Sequence, residues 1–299
     1  MRYRPFGITG KAVSAVSLAL GRGGKGPGDA AGWRSLMFAG MENGINCFDI
    51  EVGLEALEFG VAQALQAVER RLVFLIFTMR SDPRRPFTVE HLAETVKRGL
   101  ARTGAGYIDV LMFDPETYAA LTPRARALLA RLKEAALVLQ LGVCGEADAL
   151  DAAVADPDFE VLATPYNLTS EWKARRVLRE ASAAGMAAIG YDPAPTSLVQ
   201  PPQQPKLIAM PRRKEVHDPL SGVGTYAFLH TTSGWTPEAL CVAYALTEPA
   251  LATLQVDMSL AGLLEDLAGV PERDPPTGLG AQVEMARFGK DAAAERRSA

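Results

Sequence analysis

What this chain of 299 residues has little of narrows the choices first. Its three cysteines, Cys47, Cys144 and Cys241, lie far apart and form no CxxC pair. They read as small buried hydrophobes in a reducing compartment, not as a disulfide framework or a zinc site. The three histidines, His91, His217 and His230, show no HExxH spacing, which argues against a histidine-based metal centre. No apolar run approaches the roughly 18 residues that span a bilayer, so no membrane partner is expected. Arg2, Arg4 and Lys11 before the apolar AVSAVSLALG resemble the start of a signal peptide. Yet Val13, Val16 and Ser17 follow strand alternation, and Gly7 and Gly10 flank a turn. A hairpin leading into a first strand is the better reading, and a cytoplasmic location is expected. Excess positive charge is also missing: the net charge is −4, which speaks against nucleic acid as a partner.

What is present is a repeated phrase. Ile45 to Phe48 reads as a short buried strand, and Asp49 ends it with a carboxylate. Other apolar runs close near Arg80, at Asp114 and Glu116, at Glu146, Asn167, Asp192 and Asp257. Buried runs that end on polar residues are how a parallel barrel delivers side chains to one rim. The pattern predicts a hairpin over 2–12 and strands at 13–20, 45–49, 72–78, 107–113, 137–143, 160–164, 186–191 and 251–256. Helices are expected over 30–43, 54–69, 88–102, 123–136, 146–155, 170–184, 237–247 and 259–268, with a short one near 279–287. Thr88 is placed to cap the third helix and Gly185 to stop the sixth. Residues 193–235 carry seven prolines and little periodicity, so they read as an irregular loop over the mouth. The whole reads as a single (β/α)8 TIM barrel of the α/β class over 1–289, followed by a disordered tail over 290–299. Gly21 to Gly28 lacks the spacing of a Walker loop or a dinucleotide fingerprint, and flexibility is the default expectation there.

The order of these motifs resembles the aldo/keto reductase family over nearly the whole chain. RYRPFGITGKAVSAVSLALG resembles that family's hairpin and first strand, and GINCFDI resembles its second-strand signature GINFFDTA. YIDVLMFD, LGVCGE, VLATPYNL and AIGYDP are similar to its later strand ends. The resemblance implies hydride delivery from NADPH to a carbonyl, with a tyrosine as acid, a lysine–aspartate pair tuning it and a histidine on the carbonyl oxygen. Asp49 stands at the aspartate position. Val52 stands at the tyrosine position in a shortened segment, Met79 at the lysine position, and Asp114 at the histidine position. Cys144-Gly145 and Ala163 replace the family's carboxamide ligands, whereas Tyr191, whose ring would stack on nicotinamide, is retained. If NADPH binds, Tyr191, Asn167 and Ser259, the last as an N-cap after the eighth strand, are the residues expected to touch it. Between Thr236 and Pro271 there is no lysine or arginine to hold phosphate, and Arg212, Arg213 and Lys214 in the long loop are the available substitutes.

Asp49 and Asp114 are therefore the candidate catalytic pair. Two adjacent carboxylates should raise one pKa or attract a cation, unless Arg80 neutralises Asp49 in a structural ion pair. Three functions remain open. The first is a barrel that has lost NADPH-dependent reduction, needs no cofactor and binds a small ligand or partner, with a cationic ligand favoured by the rim. The second is a reductase of small carbonyl compounds whose acid comes from elsewhere, such as Tyr118 or Tyr226. The third is a non-redox lyase or isomerase working through rim carboxylates.

Overall fold

The computed structural model describes residues 1–82, 84, 86–200 and 226–287, the side chains of residues 258 and 259 excepted. The chain opens with an antiparallel hairpin, β1 (Tyr3–Phe6) and β2 (Lys11–Ser14), paired from Tyr3 against Ser14 to Phe6 against Lys11. Parallel strands then form a closed barrel: β3 (Val16–Leu20), β4 (Cys47–Glu51), β5 (Phe74–Met79), β6 (Ile108–Phe113), β7 (Val138–Cys144), β8 (Val161–Pro165), β9 (Ala187–Tyr191) and β10 (Leu251–Val256). β10 pairs with both β9 and β3, which closes the ring. The expected (β/α)8 barrel with its N-terminal hairpin is what forms.

Side chains sort into two layers because successive residues of a strand face opposite ways. Cys47, Phe74, Ile76, Val110, Met112, Cys144, Val161, Ala163, Ala187 and Ile189 pack together inside the barrel. Phe48, Leu75, Phe77, Leu111, Val143 and Leu162 pack outward among the helices. The hairpin plugs the lower end: Phe6 and Val13 are fully buried in the inner cluster, and the Phe6 ring lies 4.5 Å from that of Phe74. Asn46 fastens the plug, its amide oxygen accepting from Ser14 N at 2.8 Å and its amide nitrogen donating to the Ala12 carbonyl at 3.0 Å. Buried Asp109 accepts from Lys11, from Arg70 and from the Leu75 backbone.

The helices are α1 (Ala30–Glu42), α2 (Glu55–Leu65), α3 (Val89–Thr103), α4 (Pro115–Ala119), α5 (Pro123–Glu134), α6 (Asp151–Val154), α7 (Trp172–Ala183), α8 (Thr196–Val199), α9 (Pro237–Ala245) and α10 (Leu264–Gly269), and residues 279–287 are helical as expected. Thr88 caps α3 by accepting from His91 N, and Gly185 follows α7 at φ +76°, both as expected.

Several expectations need correction. Residues 13–14 belong to the hairpin, so the first barrel strand begins at Val16. The helix expected over 146–155 is a 3-10 turn (Ala147–Ala149) followed by the single turn α6. The helix expected over 259–268 opens as a 3-10 segment (Met258–Leu263) before α10. α4 went unanticipated, because Pro115 and the cap at Asp114 nucleate a turn too short to show periodicity. Of the proline-rich stretch, residues 201–225 lie outside the described residues, as does the tail 290–299; its flanks form α8 and a 3-10 turn at Ala227–His230.

Candidate functional site at the barrel mouth

Asp49 projects inward near the top of β4, opposite Ala19 of β3 and Ile76 of β5, and is 5% exposed. A carboxylate this buried must be fully partnered to stay charged. Thr78 Oγ1 donates to its Oδ1 at 2.5 Å, Gln255 Nε2 donates to its Oδ2 at 3.0 Å, and Arg22 Nη2 lies 3.5 Å from Oδ2. Arg22 also donates to Gln255 Oε1 at 2.8 Å, and its guanidinium carbon sits 4.5 Å from the centre of the Tyr191 ring. Arg22 comes from the glycine-rich loop. Gly21 (φ +84°) directs it: a Cβ there would lie 2.7 Å from Leu54 and 2.8 Å from Leu57 of α2.

A second pair flanks the first. Arg80 Nε is 3.4 Å from Glu51 Oε2, which also accepts from Gly23 N at 3.3 Å. Burial disfavours the charge of Arg80, but Cys144, Glu51, Asp49 and Tyr191 more than offset this and hold its pKa above the ordinary value. The cation against Asp49 is thus Arg22, and Arg80 serves Glu51, so the alternative in which Arg80 neutralises Asp49 is not what forms. Met79 faces away from the mouth, buried in the layer between barrel and helices, because Thr78 takes the inward position. Val52 is half-buried and packs against the same outer layer.

Asp114 has another job. Its Oδ1 accepts from Thr117 N at 2.8 Å as the cap of α4, and its Oδ2 accepts from Ser81 N at 2.5 Å and Ser81 Oγ at 2.7 Å. Burial works against its charge, yet the hydrogen bonds from Thr117 and Ser81 prevail and hold the carboxyl below its usual range. The raised pKa expected from an Asp49–Asp114 pair is therefore not what Asp114 has. The raised rim carboxyl is Asp192, lifted by burial and by Asp257 and opposed by Arg22.

Tyr191 lies at the mouth with its hydroxyl pKa well above the usual value, chiefly through burial and then Cys144. Asn167 spends its amide on neighbouring backbone and side chain, accepting from Thr169 N and Oγ1 in its own loop and donating to the Asp192 carbonyl just after β9. It lines a cleft of about 370 Å³ beside the mouth, together with Glu146, Asp148, Thr164, Glu171 and Asp192. Ser259 falls inside the 3-10 segment, with Asp257 preceding that segment, so it does not occupy the helix-cap position expected of it. Arg212, Arg213 and Lys214 lie outside the described residues. Tyr118 donates to Asp156 at 2.9 Å among the outer helices, and Tyr226 donates to the Leu168 carbonyl at 3.5 Å. Neither reaches Asp49. Among the described residues no cluster of histidine, cysteine and carboxylate side chains has metal-binding geometry, and no helix is long and apolar enough to cross a membrane.

Sequence reasoning missed Arg22, Thr78 and Gln255. Each had a signal: a charge set among glycines, and polar residues at inward positions of the otherwise apolar runs FLIFTM and LATLQV.

With this geometry in view, the comparisons are informative. The family model for the aldo/keto reductase family matches residues 34–274, and the chain belongs to that family. Its fold is shared with aldo-keto reductase AKR11C1 from Bacillus halodurans in the holo form, at TM-score 0.70 and 16% identity, covering 98% of this chain and 96% of that one. The crystal structure of PA4992 from Pseudomonas aeruginosa aligns at TM-score 0.67 and 17% identity, covering 90% of this chain and 93% of that one. No curated protein matches the chain in sequence.

The family usually binds NADP(H), so the mouth can be tested against that group. Arg22 lies over the ring of Tyr191, the residue that the family resemblance assigns to nicotinamide stacking. At the carboxamide positions, Ala163 is apolar and buried, and Cys144 is a buried thiol whose pKa burial pushes up to about 12. A Cβ at Gly145 would lie 2.6 Å from Pro115 Cγ, so an asparagine cannot be seated there without moving the start of α4. These residues do not fit the nicotinamide as the family holds it.

Proposed function

We propose that this aldo/keto reductase-family barrel does not perform NADPH-dependent carbonyl reduction and binds a small molecule at its mouth. The observation that carries the reading is the company Asp49 keeps. A working site pairs this aspartate with a lysine that tunes a tyrosine; here it holds Thr78, Gln255 and Arg22, and Arg22 in turn covers Tyr191. Without a lowered-pKa acid within reach of a carbonyl at Asp49, proton transfer to a forming alkoxide lacks its donor. Three unpaired buried cysteines suit a reducing compartment, and we place the protein in the cytoplasm.

Reduction of a small carbonyl compound with NADPH is the second reading. Family membership and the retained Tyr191 favour it. Its acid is the difficulty, since Tyr118 and Tyr226 are engaged elsewhere. Carboxylate-driven lyase or isomerase chemistry loses support because the lone pairs of Asp114 serve a helix cap.

Titration of the protein with NADPH by fluorescence or calorimetry separates the first two readings. Each missing neutral hydrogen bond weakens binding by about 1 kcal/mol and each missing charge-assisted phosphate contact by about 1.5–3 kcal/mol. Loss of two or three such contacts turns a micromolar site into one at least about a hundredfold weaker. Saturable micromolar binding would return the chain to the working reductases.

A further inference from the structure

We propose that Asp49, Gln255 and Tyr191 form a cage for a planar cation, filled by Arg22 and open to a guanidinium- or amidinium-bearing ligand when the segment of residues 22–25 carries Arg22 away. The inference rests on the reading of the mouth as a ligand site and names the chemistry of that ligand. The cage supplies what a guanidinium needs. Gln255 Oε1 and Asp49 Oδ2 accept its N–H groups, and the Tyr191 ring receives its flat face. Thr78 and the Gln255 amide nitrogen hold the carboxylate in place beforehand, so its orientation does not depend on Arg22.

Arg22 itself is imperfectly seated. Its bond to Gln255 is of normal length at 2.8 Å, but its approach to Asp49 stops at 3.5 Å. An untethered guanidinium is able to close that gap and form two good bonds. The loop is built to yield. Gly23 and Gly24 have positive φ, no neighbouring atoms lie within 4 Å of a Cβ at either, and they are tied by Gly23 N to Glu51 and Gly24 N to the Gly21 carbonyl. Gly21 and Gly26 stay anchored on Leu54, Leu57 and the buried Trp33, so the opening is confined to the residues between them, which have few buried contacts and move at low cost. An anion clamp between Arg22 and Arg80 is disfavoured, because Asp49 and Glu51 already face those two guanidinium groups.

A tethered group competes at a millimolar or higher effective concentration, so Arg22 weakens the apparent affinity for any external cation. Removing it should expose the cage. We therefore expect the intact chain carrying Arg22→Ala to bind methylguanidinium saturably in calorimetry, about tenfold or more tighter than wild type. Urea, planar but uncharged, should bind neither. Adding Asp49→Asn to Arg22→Ala should weaken methylguanidinium binding again by about tenfold or more. Should Arg22→Ala fail to fold, Arg22→Gln carries the same comparison, with methylguanidinium-dependent Tm as the readout. Equal affinity in wild type and variant, equal binding of urea, or indifference to Asp49→Asn each overturns the cage. NADPH is titrated in parallel. If methylguanidinium fails and NADPH also fails to bind, the cage falls while the loss of reductase chemistry stands. If NADPH saturates the wild type, both fall, since the cofactor ring would then claim the Tyr191 face.

Discussion

Replacing Asp114 by asparagine separates a structural cap from a reacting carboxylate. Three donors converge on this side chain: Ser81 N, Ser81 Oγ and Thr117 N, all within 2.8 Å. Asparagine keeps one acceptor oxygen and turns an NH2 group toward the others. The Ser81 hydroxyl can rotate to accept, but its backbone N–H cannot, and the charge assistance is gone throughout. One orphaned donor and weakened neighbours cost about 2–3 kcal/mol at neutral pH. For a chain of this size that lowers Tm by roughly 5 °C. The sign with pH follows from the depressed carboxyl. Stability from such a group is complete above the unfolded-state value of about 3.9 and disappears as pH falls through the lower folded-state value. The gap between wild type and Asp114→Asn in urea denaturation should therefore be widest near neutral pH and should close in acid below about pH 3.9. A gap that stays constant down through that window, or no gap at neutral pH, would refute the assignment of Asp114 as a charged cap.

Two further outcomes follow from the same interior. Asp109→Ala leaves Lys11, Arg70 and the Leu75 N–H without their shared acceptor, and should destabilise the fold by about 3–5 kcal/mol in chemical denaturation; a loss under about 1 kcal/mol would mean the cluster is incidental. Cys47, Cys144 and Cys241 are buried, and burial raises all three thiols, the latter two to about 12, so a thiol-reactive dye should label the folded protein slowly at mildly alkaline pH and quickly once it is unfolded.

The fold was legible because short, almost wholly apolar runs that close on polar residues recur along the chain, and the closed ring follows from that repetition. Asp49 was legible for the same reason. Its partners were not, because they come from distant segments that meet only when the ring closes: Thr78 from β5, Gln255 from β10 and Arg22 from a loop whose glycines signalled only flexibility. Arg80 was correctly placed at the rim, but its proximity in sequence to Met79 said nothing of whether it meets Asp49 or Glu51. Asp114 shows the converse limit. A carboxylate before a proline reads equally as a catalytic acid or as a helix cap, and the hydrogen bonds from Ser81 decide between them.

The seam of the barrel has a consequence for biogenesis. Thr253 of β10 bonds to Ser14 across 239 residues of chain, and β10 supplies the neighbour of both β3 and β9. At synthesis rates of about 5–20 residues per second, β3 waits roughly 10–50 seconds on the ribosome before its second neighbour exists. Through that interval an apolar strand edge is open to any other extended chain, the hazard that a completed ring removes. A nascent chain stalled before β10 should therefore be a chaperone client, whereas the finished barrel should not.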